Sequence, residues 1–312
     1  MTPDELAGLP RPLAFVLPGG GALGSYQVGV MRALTEAGVT PDMLIGVSAG
    51  SVNASLFAWN HGLDGLQRVE AIWRGIRRRD LLRFQPHRLA LAIAGRYPSF
   101  LDNRHGREFL RRHFGGRLLE QAPVRLVLVG TDLSTGEAVA LTEGDTVTAV
   151  LASSAFPGAY PPVQFAGRTL IDGGVVADVP LDLARELGAA SALVLAVPPL
   201  SPGDVPTNAI EILLRSSSLG VEAHGRSVLK RPPDGLHVAE IPATPSPLGT
   251  FDVGKTVAMI EEGYTAASAW LRRSACTVRI TASVPAASAR NPPLPRSTAN
   301  SVPICTKFWL MA

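Results

Sequence analysis

The fold is decided by the stretch PLAFVLPGGGALGSYQVGVMRALTEAGVTPDMLIGVSAGSVNASLFAW, residues 12–59. A short apolar run at 12–17 is stopped by a proline and three glycines, and apolar residues at helical spacing follow in 24–37. A second apolar run covers 43–47, and a helix-like segment extends from about 49 to 59. The order strand, glycine loop, helix, strand, sharp turn, helix predicts an α/β fold with a parallel sheet covered by helices.

The rest of the chain continues this alternation. Strand-like patterns lie at 124–130, 137–142, 169–171, 192–197 and 236–241. Helix-like patterns lie at 64–114, 145–154, 180–187, 205–231 and 252–273. Residues 276–312 contain five prolines and no acidic side chain, which predicts an unstructured tail; an aberrant, out-of-frame C-terminus is the alternative.

Composition excludes several classes of protein. Hydrophobic residues make up 46% of the 312 residues, which excludes a wholly disordered chain. A net charge of +3 over this length is no nucleic-acid signature. The only cysteines, Cys276 and Cys305, exclude a disulfide framework and favour a reducing compartment.

No membrane or export signal is visible in the sequence. The first residues lack a basic segment before a long apolar run, so we expect no signal peptide. The long uncharged stretch 146–167 is broken by three prolines, so we expect no transmembrane helix. These features predict a cytoplasmic protein that can meet a membrane only from the water side.

The glycine loop GGGALG, residues 19–24, follows a strand and opens a helix. Its G-x-G-x-x-G spacing matches a dinucleotide fingerprint, but the second strand ends in Gly-Val-Ser rather than in an acidic residue. Exposed N–H groups at a helix N-terminus can bind a phosphate or stabilise an oxyanion. A plain tight turn is the alternative.

The motif GVSAG, residues 46–50, matches G-x-S-x-G between a strand and a helix. Such an abrupt turn projects the serine at its apex, and Gly46 and Gly50 relieve crowding around it. Ser48 is therefore a candidate nucleophile. A helix N-cap is its ordinary structural role.

A serine nucleophile needs a proton acceptor. His224 and His237 are the only histidines in the second half of the chain, and neither lies in a distinctive motif. The triplet Asp172-Gly173-Gly174 follows a strand and offers a better base, although an Asx-turn is its simpler interpretation. Just before it, 152–163 (ASSAFPGAYPPV) is suited to shaping an apolar slot.

These three motifs together resemble the bacterial branch of the patatin-like phospholipases. The resemblance extends over 13–271 and includes IDGGVVADVP at 171–180 and FDVGKTVAMIEEGYTAASAWL at 251–271. It implies a three-layer α/β/α sandwich with a mostly parallel central sheet. The corresponding domain covers 12–275, with its core motifs within 14–190.

The resemblance also implies roles for single residues. Ser48 would be the nucleophile and Asp172 the general base, a dyad without histidine. The oxyanion hole would use the N–H groups of Gly20 and Gly21, with Gly19 and Ala22 shaping it. The remaining motif positions are Gly24, Gly46, Gly50, Gly173 and Gly174.

Two positions depart from the family pattern. Leu23 stands where Arg or Lys is common, and Asp178 stands where Asn is frequent. Neither belongs to the dyad, but the missing positive charge bears on head-group preference.

The expected activity is hydrolysis of fatty-acyl esters of lipids or phospholipids through an acyl-enzyme. No metal or other cofactor is expected. The alternatives are an acyltransferase, and a lipid-binding or regulatory protein with a weakly active site.

Residues 68–112 hold twelve arginines and four acidic residues, interleaved with apolar side chains. This segment is a candidate for peripheral contact with an anionic membrane. A solvated basic face that packs by its apolar side is the alternative.

Overall fold

The structure, a computed structural model, describes residues 8–77, 94–199, 209–246 and 253–272. It also describes Leu6, Leu91, Ala92 and Thr207. The predicted unstructured tail 276–312 and part of the arginine-rich segment, residues 78–90, lie outside the described residues. The bounds 12–275 for the domain stay a prediction.

A central sheet of eight strands organises the part of the chain that the structure describes. The strands are β1 (Leu13–Leu17), β2 (Met43–Val47), β3 (Arg125–Asp132), β4 (Ala138–Leu141), β5 (Val163–Phe165), β6 (Arg168–Asp172), β7 (Ser191–Leu195) and β8 (His237–Ile241). Their order is β5-β6-β3-β2-β1-β7-β8, with β4 also paired to β3. Strands β3, β2, β1, β7 and β8 are parallel, whereas β4, β5 and β6 join by antiparallel pairing.

Helices cover both faces of this sheet. They are α1 (Ser25–Glu36), α2 (Ala49–Trp59), α3 (Leu63–Gly75), α4 (Arg104–Phe114), α5 (Thr146–Ser153), α6 (Gly174–Ala177), α7 (Leu181–Glu186), α8 (Ala209–Lys230) and α9 (Thr256–Arg272). Alternate residues of β1 enter two separate apolar cores: Phe15 packs with the core that contains α1, and Val16 packs with the core that contains α7. Because both faces are buried, the central strands are continuous apolar runs. The predicted α/β/α fold class is confirmed.

Two local predictions differ from the structure. The pattern over 64–114 predicted mostly helix, but the described residues 94–103 form turns and bends between α3 and α4. Strand β5 was not predicted, because Pro161 and Pro162 directly precede it and hide a run of only three residues. Both differences lie outside the stretch that decides the fold.

No helix among the described residues is both long enough and apolar enough to span a membrane. The predicted cytoplasmic location stays a prediction.

Helices α1 and α9 pack closely, because a glycine of each helix contacts the backbone of the other helix. A Cβ added to Gly29 would lie 1.9 Å from the carbonyl oxygen of Ile260. A Cβ added to Gly263 would lie 2.1 Å from the carbonyl oxygen of Tyr26. Since backbone cannot yield as a flexible side chain does, both positions require glycine.

We therefore expect Gly29→Ala to lower the free energy of unfolding by about 1–3 kcal/mol, the usual cost of overpacking. Urea denaturation measures this change. The matched control is Gly75→Ala, where an added Cβ meets no atom within 4 Å. That control should be neutral or slightly stabilising, since alanine favours helix by about 0.5–1 kcal/mol. Equal stability of the two variants would contradict the proposed steric limit.

Candidate active site

Ser48 occupies a strained turn between β2 and α2. Its backbone has φ 52° and ψ −120°, a left-handed conformation that is uncommon for any residue other than glycine. A Cβ added to Gly50 would lie 1.9 Å from the carbonyl oxygen of Leu17, and one added to Gly46 would lie 2.5 Å from that of Gly50. The two motif glycines are therefore required by backbone contacts, and Ser48 has the strand–turn–helix context expected from the motif.

Two serines from the end of α5 hold the backbone of this turn. The N–H of Ser48 donates to Ser153 Oγ at 3.1 Å, and Ser154 Oγ donates to the Ser48 carbonyl at 3.2 Å. These contacts give the small-residue stretch 152–163 a second role besides lining a slot. These contacts could not be predicted from the sequence, because serine pairs of this kind have no distinctive spacing.

The glycine loop runs alongside the turn. A Cβ added to Gly19 would lie 3.1 Å from Ser48 Cβ, so the loop and the serine are in direct contact. The N–H of Gly19 donates to Asp178 Oδ1 at 2.8 Å and is therefore engaged. The N–H groups of Gly20 and Gly21 donate no hydrogen bond to any described residue. These two N–H groups remain open for a ligand.

Buried amide side chains support the glycine loop from behind. Gln27 Nε2 donates to the carbonyls of Pro18 and Leu195, at 3.0 and 3.1 Å. Asn53 Nδ2 donates to the Gly24 carbonyl and to Gln27 Oε1, both at 2.8 Å. Because Pro18 directly precedes the loop and Gly24 ends it, these bonds fix both ends of the loop.

Trp73 completes this network, since its Nε1 donates to Asn53 Oδ1 at 2.7 Å. Gln27, Asn53 and Trp73 are all buried, so each polar atom depends on a protein partner. Gln27 and Asn53 were not predicted from the sequence. The available signal was a polar side chain within an otherwise apolar helix, which alone does not distinguish a buried support from a solvent-facing residue.

Asp172 ends strand β6 and is only 3% exposed. Its Oδ1 accepts the N–H of Gly174 at 2.9 Å. Its Oδ2 is buried and accepts no hydrogen bond of good geometry from any described residue. A Cβ on Gly173 would lie 2.2 Å from the Val129 carbonyl, so the glycine after the aspartate lets this turn lie against β3.

The environment of Asp172 opposes its ionisation. Burial raises the pKa of this carboxyl to about 7, and the negative charge of Asp178 adds to the rise. The Ser48 hydroxyl and the Gly174 N–H oppose that rise by stabilising the charged form. The structure therefore brings together the predicted pair, Ser48 and Asp172, and gives the carboxyl an affinity for protons suited to neutral pH.

A cavity of about 480 Å³ opens onto these residues. Ser48, Asp172 and the glycine loop line one part of it. Apolar side chains line much of the rest, among them Leu23, Phe109, Leu151, Phe156, Val175 and Val197. His224 and His237 are exposed and do not line the cavity.

The family model described as patatin-like phospholipase matches residues 15–185, more than half of the chain. The chain belongs to the patatin-like phospholipase family. The predicted family is therefore confirmed, and membership in it supports a lipid acyl hydrolase in general.

Curated relatives match a stretch of similar length. An uncharacterized NTE family protein of Mycobacterium bovis is 33% identical over 177 residues, covering 55% of this chain and 28% of that protein. Lysophospholipase nte1 of Aspergillus niger is 30% identical over 190 residues, covering 57% of this chain and 11% of that protein. Patatin-like phospholipase domain-containing protein 7 of Rattus norvegicus is 30% identical over 181 residues, covering 57% of this chain and 13% of that protein. The chain thus spans less than a third of the length of these relatives.

Solved structures with a similar chain trace include VipD from Legionella pneumophila and the type III effector protein ExoU. VipD is 17% identical, with a TM-score of 0.42, covering 85% of this chain and 68% of its own. ExoU is 17% identical, with a TM-score of 0.38, and the match covers 84% of this chain and 53% of the ExoU chain.

The raised pKa of Asp172 predicts a stability that depends on pH. The folded protein holds the proton up to about pH 7, whereas an unfolded carboxyl near pKa 3.8 has already released it. The contribution of Asp172 to stability is therefore greatest below about pH 4 and is lost as the pH rises through about 7. Asp172→Asn removes this loss. The difference in free energy of unfolding between the variant and wild type should therefore shift in favour of the variant by on the order of 4 kcal/mol from pH 4 to pH 8.

Urea denaturation at both pH values measures this gain. Asp182→Asn, a change at an exposed aspartate of α7, is the matched control and should show no comparable difference. A gain that is equal at pH 4 and pH 8 would contradict a raised pKa at Asp172.

Proposed function

We propose that this chain is a serine acyl-hydrolase that cleaves fatty-acyl esters of lipids, with Ser48 as nucleophile and Asp172 as general base. One observation carries the proposal. The buried carboxylate of Asp172 and the Ser48 hydroxyl share a cavity with two open N–H groups, those of Gly20 and Gly21.

In the first step, Ser48 Oγ attacks the ester carbonyl carbon while its proton passes to Asp172 Oδ2. An unperturbed aspartate is a weak base, whereas a pKa of about 7 lies close to neutral pH and improves this transfer. The strained backbone at Ser48 holds the hydroxyl toward the cavity, which lowers the cost of orienting it for attack.

The attack places a negative charge on the former carbonyl oxygen. The N–H groups of Gly20 and Gly21 would donate to this oxyanion, while Gly19 and Ala22 shape the loop around it. Each donor of this kind contributes about 3–4 kcal/mol to transition-state stabilisation. Since the Gly19 N–H is already bound to Asp178, it takes no part in holding the charge.

Collapse of the tetrahedral intermediate breaks the ester C–O bond, and the protonated Asp172 gives its proton to the leaving alkoxide. Water then attacks the acyl-serine, with Asp172 again accepting a proton. Breaking the acyl–Oγ bond releases the fatty acid and returns the proton to Ser48. Every step uses only side chains and backbone of this chain together with water.

The substrate class follows from the apolar wall of the cavity, which suits a fatty-acyl chain. The relative from Aspergillus niger bears the name lysophospholipase, and we extend that substrate class to this chain. Acyl transfer with a serine–histidine pair is less well supported, because no histidine among the described residues lines the cavity.

We expect Ser48→Ala and Asp172→Asn each to lower hydrolysis of p-nitrophenyl esters at least about a thousandfold, because each removes a group that acts in the reaction. Activity is measured across acyl lengths, since the optimum reports the size of the acyl pocket. Ser216→Ala and Asp182→Asn are matched controls at exposed positions and should retain wild-type rates.

A fluorescent phosphonate probe provides a second measurement that does not depend on the choice of ester. It should label wild type and fail to label Ser48→Ala. Undiminished activity of Ser48→Ala would refute the nucleophile, and an unlabelled wild type would favour a lipid-binding protein.

We infer further that helix α4 places the cavity against an anionic membrane. One face of α4 lines the cavity through Gly106 and Phe109. The helix also carries four arginines and one glutamate, and Arg111 lies exposed to solvent. Arg112 is paired with Glu108 at 2.6 Å and Arg104 with Asp102 at 4.0 Å, so Arg107 and Arg111 have charge left for lipid phosphates.

Sedimentation with phosphatidylcholine vesicles, with and without phosphatidylglycerol, tests this contact. Arg107→Gln combined with Arg111→Gln should lower partitioning onto anionic vesicles roughly thirtyfold, at about 1 kcal/mol for each charge. Arg185→Gln combined with Arg272→Gln removes the same charge from other exposed positions and should have a smaller effect. Equal binding to neutral and anionic vesicles would refute the proposed contact.

A further inference from the structure

We propose that Asp178 is a positioning residue that anchors the glycine loop through Gly19 and sets a second negative charge beside Asp172. This inference rests on the proposed function and deepens it. It assigns a task to a residue that sequence analysis noted only as a departure from the family pattern.

The geometry joins three parts of the site at one carboxylate. Asp178 directly follows α6 and is buried. Its Oδ1 accepts the N–H of Gly19 at 2.8 Å, across 159 residues of sequence. A Cβ added to Gly174 would lie 3.2 Å from Asp172 Oδ1 and 3.3 Å from Asp178 Oδ1. The two carboxylates therefore flank the same small glycine.

This hydrogen bond bears directly on the proposed oxyanion donors. Gly19 immediately precedes Gly20 and Gly21, whose N–H groups are open. A glycine backbone is the most flexible of all, so a run of three needs an external anchor to keep its N–H groups aimed. Gln27 and Asn53 hold the ends of the loop, whereas Asp178 holds it at Gly19, which lies against Ser48.

Anchoring needs only an acceptor, which an asparagine also supplies. The carboxylate adds a charge, and the surroundings do not neutralise it. Burial raises the pKa of Asp178 to about 6, and the negative charge of Glu222 of α8 adds to the rise. Arg226 is paired with Glu222, and no cation among the described residues forms an ion pair with Asp178. Asp178 therefore carries its charge close to Asp172 at neutral pH.

That charge makes Asp172 a stronger base. The negative charge of Asp178 raises the pKa of Asp172, adding to the effect of burial. Proton transfer from a serine hydroxyl is helped as the pKa of the acceptor rises, as long as the acceptor is still ionised at the working pH. Asp178 thus both holds the glycine loop and raises the proton affinity of Asp172.

Two variants separate the anchor from the charge. Asp178→Asn keeps an acceptor for Gly19 but removes the charge, so the acid limb of the kcat/KM profile should move to lower pH. Its plateau rate should fall about two- to threefold, because Asp172 becomes a weaker base. Asp178→Ala removes both, and its kcat should fall about tenfold or more with little change in KM. Asp182→Asn is the charge-matched control and should alter neither quantity.

Hydrogen–deuterium exchange of the backbone over residues 13–24 provides a measurement that needs no activity. Exchange in the glycine loop should speed up in Asp178→Ala and stay close to wild type in Asp178→Asn. Unchanged exchange in Asp178→Ala would overturn the anchor, and an unmoved acid limb in Asp178→Asn would overturn the charge effect. A wild type that hydrolyses no ester would overturn the proposed function, while the exchange experiment would still decide the role of Asp178.

Discussion

The contact on which the site depends is the approach of the α2 backbone to the end of β1. Gly50 lies so close to the Leu17 carbonyl that even a methyl group would collide with it. This contact forces the abrupt turn between β2 and α2 and keeps Ser48 in a left-handed conformation. Because Leu17 leads directly into the glycine loop, the same contact sets the loop beside the serine.

Sheet pairing brings the aspartate to this turn. Strand β2 pairs with β3, placing Val47 opposite Val129, and β3 pairs with β6, placing Gly130 opposite Asp172. These two strand pairings thus bring Ser48 and Asp172 together, although 124 residues separate them in the sequence. A shift of one residue in either register would turn the aspartate side chain to the other face of the sheet.

The site concentrates groups that work against stability. It holds a strained serine, a buried carboxylate with an unpartnered oxygen, and a second buried carboxylate next to it. Rigid surroundings tolerate this arrangement: the amide network behind the loop satisfies its own polar atoms, and the continuous apolar strands hold the sheet. Strained backbone and buried polar groups without a partner are expected at functional sites, since a group without a partner is available to a substrate.

The sequence by itself determined the α/β class, the glycine loop, the serine turn and the candidate base. Each of these is local: glycine spacing, apolar runs and turn residues act within a few positions, so their pattern can be read directly. Only the tertiary structure decided that Asp178 holds Gly19, that Gln27 and Asn53 support the loop, and that 163–165 forms a strand at the sheet edge. These features join residues far apart in the chain, and a buried Gln, Asn or Asp acquires its role from the partner that the fold brings to it.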